Sequence, residues 1–293
     1  MLGGSCGPAI TRLVYERRIE VTMSDKSYSW GSIDNTDRPE EFAAYLDTVT
    51  ALGEMQRYKQ RTYQLLRASW GSHILDVGCG VGDDVYTLAK IVGSDGLVVG
   101  IDNSKALIEE ARQRMRDESL RVEFRVEDAQ QLSFDANTFD GFRADRIFIH
   151  LPDRRKVLSE MIRVTRPGGW IVVNDPDWDT LIIEAPDKRL TRRILEAVSD
   201  NTANPWSGRE LYKLFLESGL VEVAIADTPT LVLTDFAIAN RLYQLEDTVA
   251  KLGGAGTIRS EEAQMWIDYV KQADQAGRFF SAVTGFTVVG QKP

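Results

Sequence analysis

The chain has 293 residues, 43% of them hydrophobic, and a formal charge of −9. That is enough to bury one large core with a small appendage, and the acidic balance argues against a nucleic-acid or anionic-membrane surface as main partner. No apolar run reaches the roughly 18 residues that span a bilayer, so no stable membrane insertion is expected and the chain reads as cytoplasmic.

Cys6 and Cys79 are the two cysteines, too few for a disulfide framework or a cysteine-ligated metal site. Residues 1–22 carry no clear pattern and read as a leader-like or misassigned extension ahead of an ordinary start at Met23-Ser-Asp-Lys. The division expected is an N-terminal extension over 1–37 and a main domain over 38–293. Arg112 to Arg116 and Arg154-Arg155-Lys156 are local basic clusters, read as solvated helix faces.

Pro39, followed by Glu40 and Glu41, opens a helix to about Leu52, with apolar residues at 42, 45, 46, 49 and 52 on one face. A second helix spans about Glu54 to Leu66. The amphipathic first helix either closes its own site or reaches a neighbouring subunit, which leaves a homo-oligomer open.

Residues 73–84, His73-Ile-Leu-Asp-Val-Gly-Cys-Gly-Val-Gly-Asp-Asp84, are an apolar strand running into a glycine-rich turn and a helix start. Glycines at 78, 80 and 82 admit backbone close to a ligand, and the helix amides point back toward that space. Asp76 precedes the first glycine by two positions. Asp102 ends a second apolar run, Leu97-Val-Val-Gly-Ile-Asp102, where a carboxylate can hold ribose hydroxyls. A nicotinamide enzyme shares these features, but its G-x-G-x-x-G spacing is not the Gly78-x-Gly80-x-Gly82 spacing here.

From 73 to about 175, apolar runs alternate with helical segments, the pattern of a parallel sheet with crossover helices. Strands are predicted near 73–78, 97–101, 121–126, 138–144 and 169–175, with helices near 83–92, 104–117 and 153–165. Ser104 is read as an N-cap, and Pro167-Gly168-Gly169 as a breaker before the fifth strand. Beyond these, helices are predicted near 187–200 and 208–218, strands near 221–226 and 283–291, and helical segments over 235–252 and 260–276, joined by Gly253-Gly-Ala-Gly256.

With Asp76-Val-Gly-Cys-Gly-Val-Gly82, Asp102, Glu127-Asp128-Ala129 and Arg166-Pro-Gly-Gly169 in this order, the chain resembles class I S-adenosylmethionine-dependent methyltransferases over roughly residues 60–180. Within them it looks like the small-molecule group that includes the ubiquinone/menaquinone and sterol enzymes. The resemblance implies an α/β Rossmann-like sheet of seven mostly parallel strands with an antiparallel last strand, helices on both faces, and a helical cap from 38–66, 178–207 and 235–280. Its cofactor would be S-adenosyl-L-methionine. Gly78, Gly80 and Gly82 would pack against the methionine part and Asp76 would face its ammonium. Asp102, beside Asn103, would bind the ribose, Asp128 and Ala129 would face the adenine, and Arg143 or Asp145 would lie near the methionyl group.

The substrate is expected to be a small, mostly apolar acceptor, methylated on carbon or oxygen, with nitrogen methylation open. Asn174-Asp-Pro-Asp-Trp-Asp179 reads as a substrate-facing loop; no metal is expected, because no obvious Asp/Asn cluster stands at the later strand ends, and a metal-assisted variant resting on Asp175 and Asp177 is the disfavoured alternative. Tyr28, Trp30, Tyr45, Trp178, Trp206 and Tyr243 are candidates to line the acceptor pocket. Of the two histidines, His150 follows the fourth strand and is the candidate base, against an equally weighted role in ordering its loop. His73, at the opposite end of the sheet, is read as structural. Cys79 is read as a small filler between glycines, and a non-catalytic cofactor-binding protein is the reading from a different class.

Overall fold

In the computed structural model, residues 33–293 are described, apart from 37 and 116–118. Helices α1 (Pro39–Thr50) and α2 (Gly53–Leu65) precede β1 (His73–Val77), α3 (Asp83–Val92), β2 (Leu97–Asp102), α4 (Lys105–Arg114), β3 (Val122–Val126), β4 (Phe139–Asp145) and α5 (Arg154–Val164). Then come β5 (Thr165–Ile183), α6 (Lys188–Asp200), α7 (Ser207–Glu217), β6 (Val221–Asp227), β7 (Thr230–Leu233), α8 (Phe236–Tyr243), α9 (Leu245–Gly254), α10 (Ser260–Gln275) and β8 (Ser281–Gln291).

The strands lie in the order β3-β2-β1-β4-β5-β8-β6, with β7 paired to β8. Pairings from β3 to β5 are parallel, and β8 runs antiparallel to β5, β6 and β7. One face, built on Leu75, Val77, Phe142 and Val173, packs against α5 and α7. The other, with Ile74, Val98 and Val172, packs against α2, α3 and α4. This in-and-out alternation along buried strands is what lets helices cover both sides. Helix starts follow their caps: Ser104 Oγ accepts from Leu107 N at 3.2 Å and Asp153 Oδ1 from Lys156 N at 3.0 Å.

Two expectations are corrected. The sheet has eight strands among the described residues, because Thr230–Leu233 pairs with the outer half of β8; four residues after Pro229 carry too little pattern to be read as a strand. The fifth strand also starts earlier and ends later than predicted. Residues 166–169 form a bulge between the Phe139↔Thr165 and Gly141↔Trp170 pairs, so Pro167-Gly168-Gly169 does not stop the strand. Beyond Asn174 the strand continues to Ile183 along β8, with an irregularity between Asp177 and Ile182.

The segment expected to be a substrate-facing loop is therefore strand, and its side chains alternate. Asn174, Pro176 and Trp178 face a large cavity, whereas Asp175 and Asp177 are fully buried on the α7 side. There Asp175 Oδ2 accepts from Ser207 Oγ at 2.5 Å, and Asp177 pairs with Arg209. Among the described residues no group of three or more His, Cys, Asp and Glu is arranged to hold a metal. No described helix is long and apolar enough to cross a membrane.

The cap has its own core, in which α6, α8, α9 and α10 pack on the outer ends of β5, β7 and β8. The helical stretch 235–252 is divided at Gln244, whose φ of 52° ends α8 and starts α9. Gly253 and Gly254 belong to α9 rather than to a linker.

Burial pushes the Asp175 carboxyl up to about 8, against the Ser207 hydrogen bond. A raised folded-state value favours the fold at low pH and costs stability as pH rises from the ordinary carboxylate range toward 8. Asp175→Asn should therefore come closest to the parent at pH 4 or below and exceed it by a margin that grows up to pH 8 in urea denaturation; equal pH dependence of the two would refute a protonated Asp175.

Candidate functional site

The turn after β1 is built from left-handed residues, with φ of 70°, 54° and 88° at Gly78, Gly80 and Gly82. Gly78 N and Cys79 N donate to Ile101 O at 2.8 and 2.9 Å, tying the turn to the end of β2. Gly80 N donates to Asp102 Oδ2 at 3.0 Å, and Asp102 Oδ1 accepts from Ser104 N at 3.0 Å. A Cβ on Gly78 would collide with the Ile147 side chain and one on Gly80 would stand 2.9 Å from Leu46 of α1. Gly82 faces away from the cavity: a Cβ there would meet the Phe124 ring at 2.8 Å. Its missing Cβ lets α3 approach β3, and Gly82 is not among the residues lining that cavity.

Over this turn lies a cavity of about 820 Å³, near the upper end of the range for small-molecule sites. Gly78, Gly80, Asp102, Asn103, Asp128 and Ala129 line one part, and Tyr45, His150, Trp178 and Tyr243 another. The sequence reading is corrected at three further positions. Asp76 and Arg143 are each 1% exposed and sit beneath the turn, outside the cavity lining. Trp206 is half-exposed and donates its Nε1 to Asp179 at 2.5 Å, on the outside. Tyr28 and Trp30, like residues 1–22, lie outside the described residues.

Beneath the turn is a buried charge network that sequence reading missed. Arg143 Nη1 donates to Asp76 at 2.9 Å and Asp84 at 3.1 Å, Nη2 lies 3.3 Å from Asp145, and Nε donates to Thr62 Oγ1 at 2.9 Å. Lys59 of α2 adds a second cation, 2.5 Å from Asp84 and 3.6 Å from Asp145. Tyr63 donates to Asp84, Tyr58 donates to Asp145, and Asn174 Nδ2 donates to Asp145 at 3.0 Å. The available signals were the adjacent carboxylates Asp83-Asp84 at a helix start and the polar stripe Tyr58-Lys59-Thr62-Tyr63 on an otherwise amphipathic helix.

Burial and the like charge of Asp84 push Asp76 up to about 6 against the pull of Arg143. Burial also opposes ionisation of Asp84, but Arg143 and Lys59 outweigh it and hold that carboxyl well below its ordinary value. Asp102 is raised by burial against its backbone donors. The buried Cys79 thiol is pushed well above its ordinary value, first by burial and then by Asp102 and Asp76, as suits a filler and not a nucleophile. Burial, then the charge of Arg146, lowers His150 to about 4. His73 N donates to Asp140 at the far end of the sheet.

Residues 68–219 match a family model described as a methyltransferase domain. An uncharacterized 37.1 kDa protein in transposon TN4556 of Streptomyces fradiae is 34% identical over 262 residues, which cover 89% of this chain and 74% of that one. A demethylmenaquinone methyltransferase of Bacillus cereus is 33% identical over 49% of this chain, and the match spans 62% of its own length. Among solved structures, the YcgJ protein of Bacillus subtilis superposes with a TM-score of 0.57 at 18% identity, over 81% of this chain and 98% of that one.

Replacing Arg143 with Met would leave three carboxylates buried around a neutral side chain. Loss of one partner of such a network costs about 3–5 kcal/mol, so Arg143→Met should fall by that amount in urea denaturation at pH 7. The deficit should shrink as pH falls below 6 and Asp76 takes up a proton; a loss under about 1 kcal/mol would mean that the carboxylates are balanced otherwise.

Proposed function

This chain belongs to the methyltransferase-domain family, and we propose that it moves a methyl group from S-adenosyl-L-methionine to carbon or oxygen of a small, mostly apolar acceptor. One observation carries the reading: a single cavity has the glycine turn and the carboxylates Asp102 and Asp128 in one part, and the rings of Tyr45, Trp178 and Tyr243 in another. The first part fits the cofactor. Asp102 spends one lone pair per oxygen on backbone amides and keeps others for ribose hydroxyls, while Asp128 and Ala129 suit the adenine edge. The cofactor carries a net positive charge when bound, and Asp83, Asp102, Glu127 and Asp128 line this cavity.

The cofactor supplies a methyl group already activated by its sulfonium, so the protein's task is to align the acceptor and exclude water. Leu46 of α1 closes over Gly80, and Ile147 over Gly78, which keeps the turn apolar on its cavity side. Trp178 and Tyr243 meet edge to face with ring centroids 5.7 Å apart, giving a wall against which a planar or isoprenoid acceptor packs. Methylation of an olefin would place a carbocation beside these rings.

His150 lines the cavity with its side chain exposed, and its lowered value keeps the imidazole neutral at working pH. A neutral imidazole that accepts a hydrogen bond and orders the segment after β4 fits better, and it favours acceptors that need no deprotonation before attack. The demethylmenaquinone enzyme among its relatives supports a quinone-like or other natural-product acceptor; methylation of nitrogen is the alternative.

Calorimetric titration with S-adenosyl-L-methionine tests the reading, and an absence of binding would sink it. Asp102→Ala should weaken that binding by about 1–3 kcal/mol if the carboxylate holds the ribose through buried hydrogen bonds. For His150→Phe, the shape of the rate profile between pH 5 and 9 should stay as in the parent. Disappearance in that variant of a fall in rate on the acidic side of neutral pH would restore His150 as the base.

A further inference from the structure

The cavity holds three side chains of permanent or near-permanent positive charge: Lys59, Arg146 and Arg241. Lys59 is matched by Asp84 and Asp145, and Arg146 Nε lies 3.8 Å from Asp145. Arg241, on α8, makes no ion pair with any described residue. Its Nη1 donates to Thr48 Oγ1 at a long 3.3 Å. Its Nε and Nη2 are shielded from solvent and make no hydrogen bond, and the same holds for Arg146 Nε. A guanidinium shielded from water without a counter-charge is costly, which makes Arg241 incomplete as it stands.

The two arginines converge on the same place. Arg241 lies over the Tyr45 ring, 6.0 Å from its centroid, and both guanidiniums pull the Tyr45 phenol down against the burial that raises it. Arg146 is held there by a φ of 58°, an uncommon conformation for a side chain of its size, and by a backbone bond from its N to Asn174 O at 2.8 Å. Trp178 Nε1, a further buried donor without a partner, belongs to the same cavity.

The methyl donor contributes one carboxylate, which can satisfy one guanidinium, and Arg146 lies directly before the Ile147 that covers Gly78. Arg241 is then left over. Resting on the methyltransferase reading above, we propose that the acceptor carries an anionic group, a carboxylate or a phosphate on an otherwise apolar body, and that Arg241 receives it beside Tyr45. Guanidinium forks suit planar or tetrahedral oxyanions of this kind. The acceptor class is thereby narrowed from apolar to amphipathic and acidic.

The test uses the full chain saturated with S-adenosylhomocysteine, titrated calorimetrically with 2-naphthoate, 2-naphthyl phosphate and 2-naphthol. Naphthoate, the phosphate, or both should bind the parent about tenfold or more tighter than the neutral alcohol, and the preferred anion identifies the group. Arg241→Met should abolish that preference, and Arg241→Lys should restore part of it, while affinity for S-adenosylhomocysteine is unchanged in both. Equal affinity of the parent for all three probes overturns the proposal without reference to any variant. So does a preference that survives in Arg241→Met, or an S-adenosylhomocysteine affinity that falls in that variant, which would give Arg241 to the cofactor's carboxylate. Failure of S-adenosylhomocysteine to bind the parent would instead sink the methyltransferase reading, so the two failures are separable.

Discussion

The guanidinium of Arg143 is the point through which the architecture of this enzyme is joined. It is buried to 1% exposure and brings together carboxylates from β1, α3 and β4, while Thr62 fixes it to α2. Through Asp145 the chain of bonds goes on to Asn174 of β5 and Thr287 of β8. One cation thus connects the strand before the glycine turn, the helix after it and the helix packed over it. Three carboxylates and two cations are paired with one another at the floor of the cavity, and each element is fixed by partners on others. The turn above owes its placement to this layer, because both of its flanking elements are anchored in it.

That arrangement also explains how charge is divided in the molecule. Asp76, the acidic residue next to the glycines, belongs to the foundation and not to the binding surface. Of the carboxylates that line the cavity, Asp102, Glu127 and Asp128 come from the ends of β2 and β3, and Asp83, Asp84 and Asp145 from the start of α3 and the end of β4. Positive charge is placed beyond the turn, at Arg146 and Arg241. The cavity is therefore polarised between the part that suits a cationic cofactor and the part read here as receiving the acceptor.

Much of the fold could be read from local pattern. Period-2 and period-3.6 apolar spacing located β1 to β4 and most helices to within a few residues, although α8 and α9 read as one segment, and Ser104 marked the start of α4. The glycine turn and Asp102 were legible because backbone geometry restricts which residues can stand there. What escaped reading depends on which side of an element faces which neighbour. Asp76 and Arg143 look like ligand contacts by position, and only the packing of α2 turns both inward, toward Lys59 and Thr62. Trp206 stands just before α7 yet faces outward to Asp179. Asp175 and Asp177 alternate with Asn174 and Trp178, so a stretch rich in charge and aromatics reads as a loop when it is a strand buried on both faces. Arg241 is one ordinary cation on a helix surface until α1 is laid across it.

β5 runs without interruption of its chain from the floor of the cavity to the middle of the cap, bonded along much of that length to β8. A cap mounted in this way is part of the same beam as the floor. Rotating it as a body would require breaking a ladder of backbone hydrogen bonds, whereas α1 is attached by side chains such as Asp47 to Arg114 and Thr48 to Arg241. The distance between the glycine turn and the Trp178 wall is accordingly a fixed dimension of the sheet. The molecule selects its substrate more as a gauge does than as a closing hand.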